Sequence, residues 1–205
     1  MSLTLRPMEP GDVPYVSAID RLSFPTPWPA AAFRSELSRE RATYLVLVRR
    51  GEGTSPASAR EKGCWFRRLL AATQAACVIG YVGFRLESEQ GHITTIALRP
   101  HERGKGLGEY LLLVALEKMA KSCVDIVTLE MRPSNEVAYR LYRKYGFQVT
   151  RFRPGYYRDG EDAWVMEVTI SDQQYQRRLR LLRKAADKRL SFEENDVGQI
   201  TGDPL

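Results

Sequence analysis

Apolar positions along this chain alternate between two spacings, and the switches between them mark out its elements. Residues 4–6 form a short extended run, followed by the turn Pro10-Gly11-Asp12. Asp12 is placed to cap a helix reaching about residue 24, whose inward positions are Val13, Val16, Ile19 and Phe24. The proline-punctuated stretch Phe24-Pro25-Thr26-Pro27-Trp28-Pro29 interrupts the chain before a second helix over 30–38, with Phe33 and Leu37 one turn apart. Residues 43–49 (TYLVLVR) and 77–87 (CVIGYVGFRLE) are β-branched and aromatic runs of strand type. A turn around Glu89-Gln90-Gly91 joins the second of these to a strand over 92–98.

Further along, residues 104–121 read as a glycine-rich loop opening into a long apolar helix. A strand over 124–131 and a helix over 135–145 follow, the helix closed by Gly146. Two last strands cover 147–152 and 163–170, separated by a polar loop over 153–162. An antiparallel run followed by strand–helix–strand–helix–strand predicts a mixed α/β sheet flanked by helices. One domain spans residues 1–170, with an insertion at about 51–76 made of a polar loop and a helix carrying Trp65, Phe66, Leu69 and Leu70 on one face. Residues 171–205 form a C-terminal extension.

Composition narrows the class. No apolar run approaches the roughly 20 residues a membrane span requires, and the first residues lack a basic segment followed by an apolar one, so the expected location is the cytoplasm. Three scattered cysteines, two histidines and no CxxC or HExxH pattern predict neither a disulfide framework nor a metal site. The net charge of +6 favours acidic partners such as nucleotide phosphates or a ribonucleoprotein surface.

The sharpest chemical signal is Arg103-Gly104-Lys105-Gly106-Leu107-Gly108. It follows a strand that stops at Pro100 and leads straight into an apolar helix. Glycines allow close approach of backbone N–H groups, and a helix N-terminus adds unsatisfied donors and the positive end of a dipole. Together these suit a pyrophosphate. The spacing matches neither GxxxxGK[ST] nor GxGxxG. Taken alone, the segment also fits a flexible turn before a helix.

This loop resembles the Q/R-x-x-G-x-G/A signature of the GCN5-related N-acetyltransferases (GNAT). The downstream residues Leu129-Glu130-Met131-Arg132-Pro133-Ser134-Asn135, Tyr139, Leu141-Tyr142 and Tyr145-Gly146-Phe147 are similar to the RimI branch, which acetylates protein N-termini, including that of a ribosomal protein. The resemblance covers roughly residues 3–170. It implies acetyl-CoA as co-substrate, no metal, and the GNAT acyl-CoA N-acyltransferase fold. It implies Glu130 as the base that takes the amine proton through water, and Tyr142 as the acid that protonates the leaving thiolate. Cofactor contacts are expected from Ile96, Ala97 and Leu98, from Arg103, Gly104, Lys105, Gly106, Leu107 and Gly108, and from Asn135. Trp28, Tyr156 and Tyr157 are expected to line the acceptor groove.

Each of these residues also has a plain structural reading. Glu130 fits a solvated strand end, Tyr142 a packing tyrosine, Asn135 an N-cap, and Trp28 a core anchor. The acceptor is expected to be a protein N-terminus, with lysine or a small amine as the alternative, and a CoA-binding regulatory module as the non-enzymatic one. In the extension, Leu179, Leu182 and Ala186 share one helical face among seven basic residues between 177 and 189. That pattern fits either a helix docked by a narrow stripe or a basic arm held near ribosomal RNA. Residues 191–205 carry no periodicity and read as disordered.

Overall fold

The computed structural model describes residues 2–50 and 77–190. The predicted insertion over 51–76 and the final residues 191–205 lie outside that description. Among the described residues, seven strands form one sheet: β1 (Ser2–Pro7), β2 (Ala42–Arg50), β3 (Cys77–Glu87), β4 (Gln90–Leu98), β5 (Ile126–Met131), β6 (Gln148–Arg153) and β7 (Ala163–Thr169). Their spatial order is β1-β2-β3-β4-β5-β7-β6, antiparallel throughout except for the β4–β5 pair. The α-helices among the described residues are α1 (Val13–Ser23), α2 (Ala30–Leu37), α3 (Leu107–Ala120), α4 (Glu136–Lys144) and α5 (Gln173–Leu190). The mixed α/β sheet expected from the pattern is present.

Strand β2 shows why its sequence is apolar without interruption. Leu45 and Leu47 point into the core shared with α3, whereas Tyr44, Val46 and Val48 point into a second core with α1 and α2. Successive side chains alternate between faces, so a strand covered on both sides must be apolar at every position.

Helix α3 makes the same point for helices. Leu107, Tyr110, Leu111, Leu112, Leu113, Val114, Ala115, Leu116 and Met119 are all buried. A helix that is apolar on nearly every side needs two covers. The sheet is one; α5 is the other. Leu179 and Ala186 are buried in the α3 core, and Leu182 packs against it. Tyr175 donates from its hydroxyl to the Tyr145 carbonyl (2.7 Å), pinning the start of α5 to the end of α4. Arg183 lies over the Tyr110 ring (4.4 Å) and pairs with Asp187 (3.1 Å). The apolar stripe of the extension is therefore a docking face, while Arg177, Arg178, Arg180, Lys184 and Lys188 stay in solvent.

Two local expectations differ. Asp12 precedes α1 but makes no capping bond. A 3-10 turn over Pro10–Asp12 directs its carboxylate back to the Arg6 guanidinium (2.6 and 2.7 Å) and the Glu9 N–H (2.8 Å). The β3–β4 turn falls on Ser88 and Glu89, earlier than expected, because Gln90 and Gly91 are needed as strand partners of Ile126 and Val127.

Candidate active site

The parallel pairing of β4 with β5 runs only from Gln90–Ile126 to Ile93–Leu129. Beyond that point β4 stays with β3 as far as Leu98, and β5 stays with β7 as far as Met131. The register of β4 slips by one residue between Ile93 and Thr95, leaving Thr94 as the extra residue of a bulge. A bulge bends its strand, so the sheet forks. The Arg99 N–H bonds to the Ile79 carbonyl (2.9 Å). Antiparallel alternation then turns the backbone of Ala97 toward β3 and leaves the backbone groups of Ile96 and Leu98 facing the fork. Of the three residues expected along the cofactor, the outer two turn their backbone groups to the fork, where the Ser23 hydroxyl donates to the Leu98 carbonyl (3.4 Å).

The loop over 103–108 lies at the open end of β4. Gly104 (φ +76°) and Gly106 (φ +81°) both take left-handed conformations, and Gly106 is the N-cap of α3. Nothing lies within 4 Å of where a Gly104 side chain would start. The N–H groups of Leu107, Gly108 and Glu109 have no acceptor within the helix, since the Tyr110 N–H is the first to bond back, to Gly106 (3.0 Å). The Leu107 side chain is fully in the core, so only its backbone can serve a ligand. Glu102, buried beside the loop, accepts from Arg49 (2.7 Å) and Lys105 (3.1 Å) and fixes the loop to β2. The Arg103 side chain turns away toward α1, donating to the Ser23 hydroxyl (2.9 Å).

Glu130 follows the last residue of β5 that pairs with β4 and sits at the vertex of the fork. Leu129 and Met131 point into the α3 core; Glu130 and Thr128 point to the opposite face, with His92 from β4 beside them. One Glu130 oxygen lies 3.1 Å from His92 Nε2, the other 3.1 Å from the Arg153 guanidinium at the end of β6. His92 Nδ1 meets the Thr128 hydroxyl at 2.8 Å. Burial alone would push the Glu130 carboxyl up. The His92 hydrogen bond and the charges of His92, Arg153 and Arg151 outweigh it and hold the group below the usual carboxylate range. Tyr142, on α4, is buried against Phe147, and its hydroxyl bonds to no other described residue. Burial first, then neighbouring Tyr157, push its phenol up, so it stays protonated at neutral pH. Asn135 caps α4 by accepting the Ala138 N–H (3.1 Å).

Two loops flank Glu130. The α1–α2 loop is anchored by buried Asp20, which accepts from the Trp28 N–H (2.6 Å) and the Tyr81 hydroxyl. The Trp28 ring packs 5.5 Å from Phe33, as a lid of the second core. In the β6–β7 loop, Tyr156 and Tyr157 stand edge to face at 5.1 Å. Arg153 lies over Tyr156 (5.4 Å) and Arg132 over Tyr157 (3.8 Å). Arg132, almost wholly buried, donates to Asp159 (3.0 Å), Glu161 (2.6 Å) and the Thr26 hydroxyl (3.1 Å), so one guanidinium holds both loops.

The sequence reading missed His92, Arg132 and Arg153. His92 is two positions before Thr94 on a strand whose neighbour is set only by the parallel crossover, and no linear spacing links it to Glu130. Arg132 lies inside the quoted motif, but its partners Thr26, Asp159 and Glu161 come from two distant loops that no local spacing links to it. Among the described residues, no group of three or more His, Cys, Asp or Glu side chains is placed to hold a metal.

The family profile described as "Acetyltransferase (GNAT) family" matches residues 14–147, about two thirds of the sequence. The chain belongs to the GNAT family. This GNAT chain is 33% identical to a Bacillus subtilis protein provisionally named a ribosomal protein bS18-alanine N-acetyltransferase, over 82% of this chain and 96% of that one. Its fold is similar to the crystal structure of the ribosomal-protein-S18-alanine N-acetyltransferase from Escherichia coli, with a TM-score of 0.65 and 25% identity over 83% and 95% of the two chains. It also shares its fold with Arabidopsis thaliana NAA60 in complex with acetyl-CoA, with a TM-score of 0.63 and 18% identity over 83% and 100% of the chains.

Proposed function

We propose that this GNAT acetyltransferase transfers an acetyl group from acetyl-CoA to the α-amino group of a protein N-terminus, as a RimI-like enzyme. The observation that carries the reading is the forked sheet with an ionised, His92-paired Glu130 at its vertex, beside a glycine loop with free N–H donors. The residues suit the cofactor. The fork-facing backbone of Ile96 and Leu98 matches an amide-bearing pantetheine arm, and the N–H groups of the Gly104–Gly108 segment match a pyrophosphate. When bound, acetyl-CoA supplies an activated acyl thioester.

The chain's own groups supply the rest. An α-amine, near pKa 7.7–8.0, needs little help to lose its proton at neutral pH. The Glu130 carboxylate accepts that proton, directly or through one water, and His92 and Arg153 keep the carboxylate in the charged form that accepts it. An N–H of the β4 segment polarises the acyl carbonyl. Once the amine nitrogen has bonded to the carbonyl carbon it would carry one surplus proton, which would pass to water as the carbon–sulfur bond breaks, while the Tyr142 hydroxyl would give its proton to the departing sulfur and be reprotonated from solvent. Its raised pKa keeps that proton available. Tyr156, Tyr157 and Trp28 with its loop wall the approach for an extended peptide end, held at fixed spacing by Arg132.

Arg177, Arg178, Arg180, Lys184 and Lys188, all exposed on α5, would attract a ribosomal RNA surface in a salt-dependent way. No described helix is long and apolar enough to cross a membrane. The test of the acceptor is thioester consumption with three panels: peptides with a free α-amine, N-blocked peptides carrying lysine, and polyamines. Turnover confined to the first supports the reading. Turnover confined to the second or third moves the enzyme to lysine or small-amine acetylation, and CoA binding without turnover makes it a regulatory module.

A further inference from the structure

Helix α5 runs antiparallel to α3: Arg183 lies between Tyr110 and Glu117, and six residues later Arg189 reaches Glu109. The last turn of the extension therefore arrives at the first turn of α3, where the glycine loop ends. A methyl group placed on Gly106 would stand 2.8 Å from a terminal nitrogen of the Arg189 guanidinium. Two roles follow for the glycine: it frees the left-handed turn, and it leaves room for this side chain.

Arg189 is more than half exposed, and its pairing with Glu109 is loose at 3.5 Å. The Glu109 carboxylate is met more closely by Lys144 (2.5 Å) and the Tyr145 hydroxyl (2.6 Å). Glu109 is thus neutralised by other partners and acts as a tether that aims Arg189 at the loop, with most of the guanidinium donors unspent. The C-terminal end of a helix is its negative end and would repel an anion nearby. Lys188 and Arg189 in the last turn of α5 reverse that sign where it matters.

We infer that Arg189, from the C-terminal extension, is a cofactor-binding residue that completes the anion site of the glycine loop by donating to the phosphate groups of CoA. The inference rests on the reading of the loop as the CoA site, and adds a residue that lies outside the matched family region. Guanidinium is suited to the task, since its planar fork can take two phosphate oxygens at once.

The test is the calorimetric Kd for CoA and for dephospho-CoA, with the KM for S-acetylpantetheine as a donor without phosphates. Arg189→Ala should weaken CoA by about 5–20-fold, the range for a charge-assisted contact at a partly exposed site. Arg189→Glu should weaken it further, and Arg189→Lys should recover part of the loss. S-acetylpantetheine should change less than about twofold, and the penalty should shrink as salt rises. A loss shared by CoA and dephospho-CoA assigns the pyrophosphate; a loss confined to CoA assigns the 3′-phosphate, and either supports the inference. The Glu109→Gln/Arg189→Ala pair separates contact from shielding: contact predicts that the loss persists, and recovery of affinity in the double variant overturns it. Unchanged CoA affinity in Arg189→Ala overturns it as well. If the wild-type chain itself fails to bind CoA, the cofactor reading of the loop fails, independently of Arg189.

Discussion

Replacing Glu130 by Gln removes one charge and keeps the side-chain shape. In the wild type the carboxylate is held between His92 and Arg153, each at 3.1 Å, and stays below the ordinary carboxylate range. A group with a lowered pKa is in its basic form at every pH above its ordinary value, so Glu130 is ready to accept a proton across any assay from about pH 5 upward. The wild type, which can strip a protonated amine, should then show little acid limb between pH 7 and pH 9. An α-amine of pKa about 7.8 is neutral in about one molecule in seven at pH 7 and in more than about nine-tenths at pH 9. If Glu130 strips the amine before attack, the Gln variant can use only the neutral fraction. Its deficit in kcat/KM should then shrink by up to roughly sevenfold between pH 7 and pH 9, on top of a pH-independent residue from proton removal after attack. A lysine acceptor near 10.4 would show roughly a hundredfold shrinkage over the same interval. Steady-state thioester assays at half-unit steps, with the same peptide, read this directly. A deficit that is flat from pH 7 to 9 would refute the assignment of Glu130 as the group that deprotonates the amine before attack.

Three other variants probe separate links. Tyr142→Phe should lower kcat by about 10²-fold at unchanged CoA affinity and nearly unchanged Tm, because the hydroxyl has no described hydrogen bond to lose; full activity would return Tyr142 to packing. Arg132→Met should raise the KM for peptide more than it lowers kcat, since it unties the α1–α2 loop from the β6–β7 loop, and kinetics on one peptide with varied acetyl-CoA should show the cofactor KM intact. Leu179→Ala should destabilise by about 2–5 kcal/mol and lower Tm by roughly 5–15 °C, measured by thermal unfolding, because the side chain is buried in the α3 core; a shift under about 2 °C would mean that α5 is not part of the domain core in solution.

Much of the architecture was local information. The uninterrupted apolar run of β2, the break at Pro100, and the glycines before α3 each follow from residues within a few positions of one another. The positive φ of Gly104, Gly106 and Gly146 occurs where glycine spacing placed it. Glu130, Tyr142 and Asn135 could be named as candidates because the motif segments that carry them lie within about twenty residues of one another. The all-round apolar character of α3 even required a second cover, although the sequence did not say which element supplies it.

What the tertiary structure decided is which distant groups share a volume. The partnership of His92 with Glu130 depends on β4 and β5 being parallel neighbours across a helical crossover, which no local period records. Where the pairing stops, and hence which of Ile96, Ala97 and Leu98 face the fork, depends on a one-residue bulge at Thr94. Arg132 joins loops separated in sequence by about 130 residues and becomes a clamp only when both arrive. The charges of the extension were countable from the sequence. Their division into internal ties such as Arg183, solvent-facing bases, and Arg189 beside the glycine loop was set by the docking of three apolar side chains on α3, a contact between segments far apart in the chain.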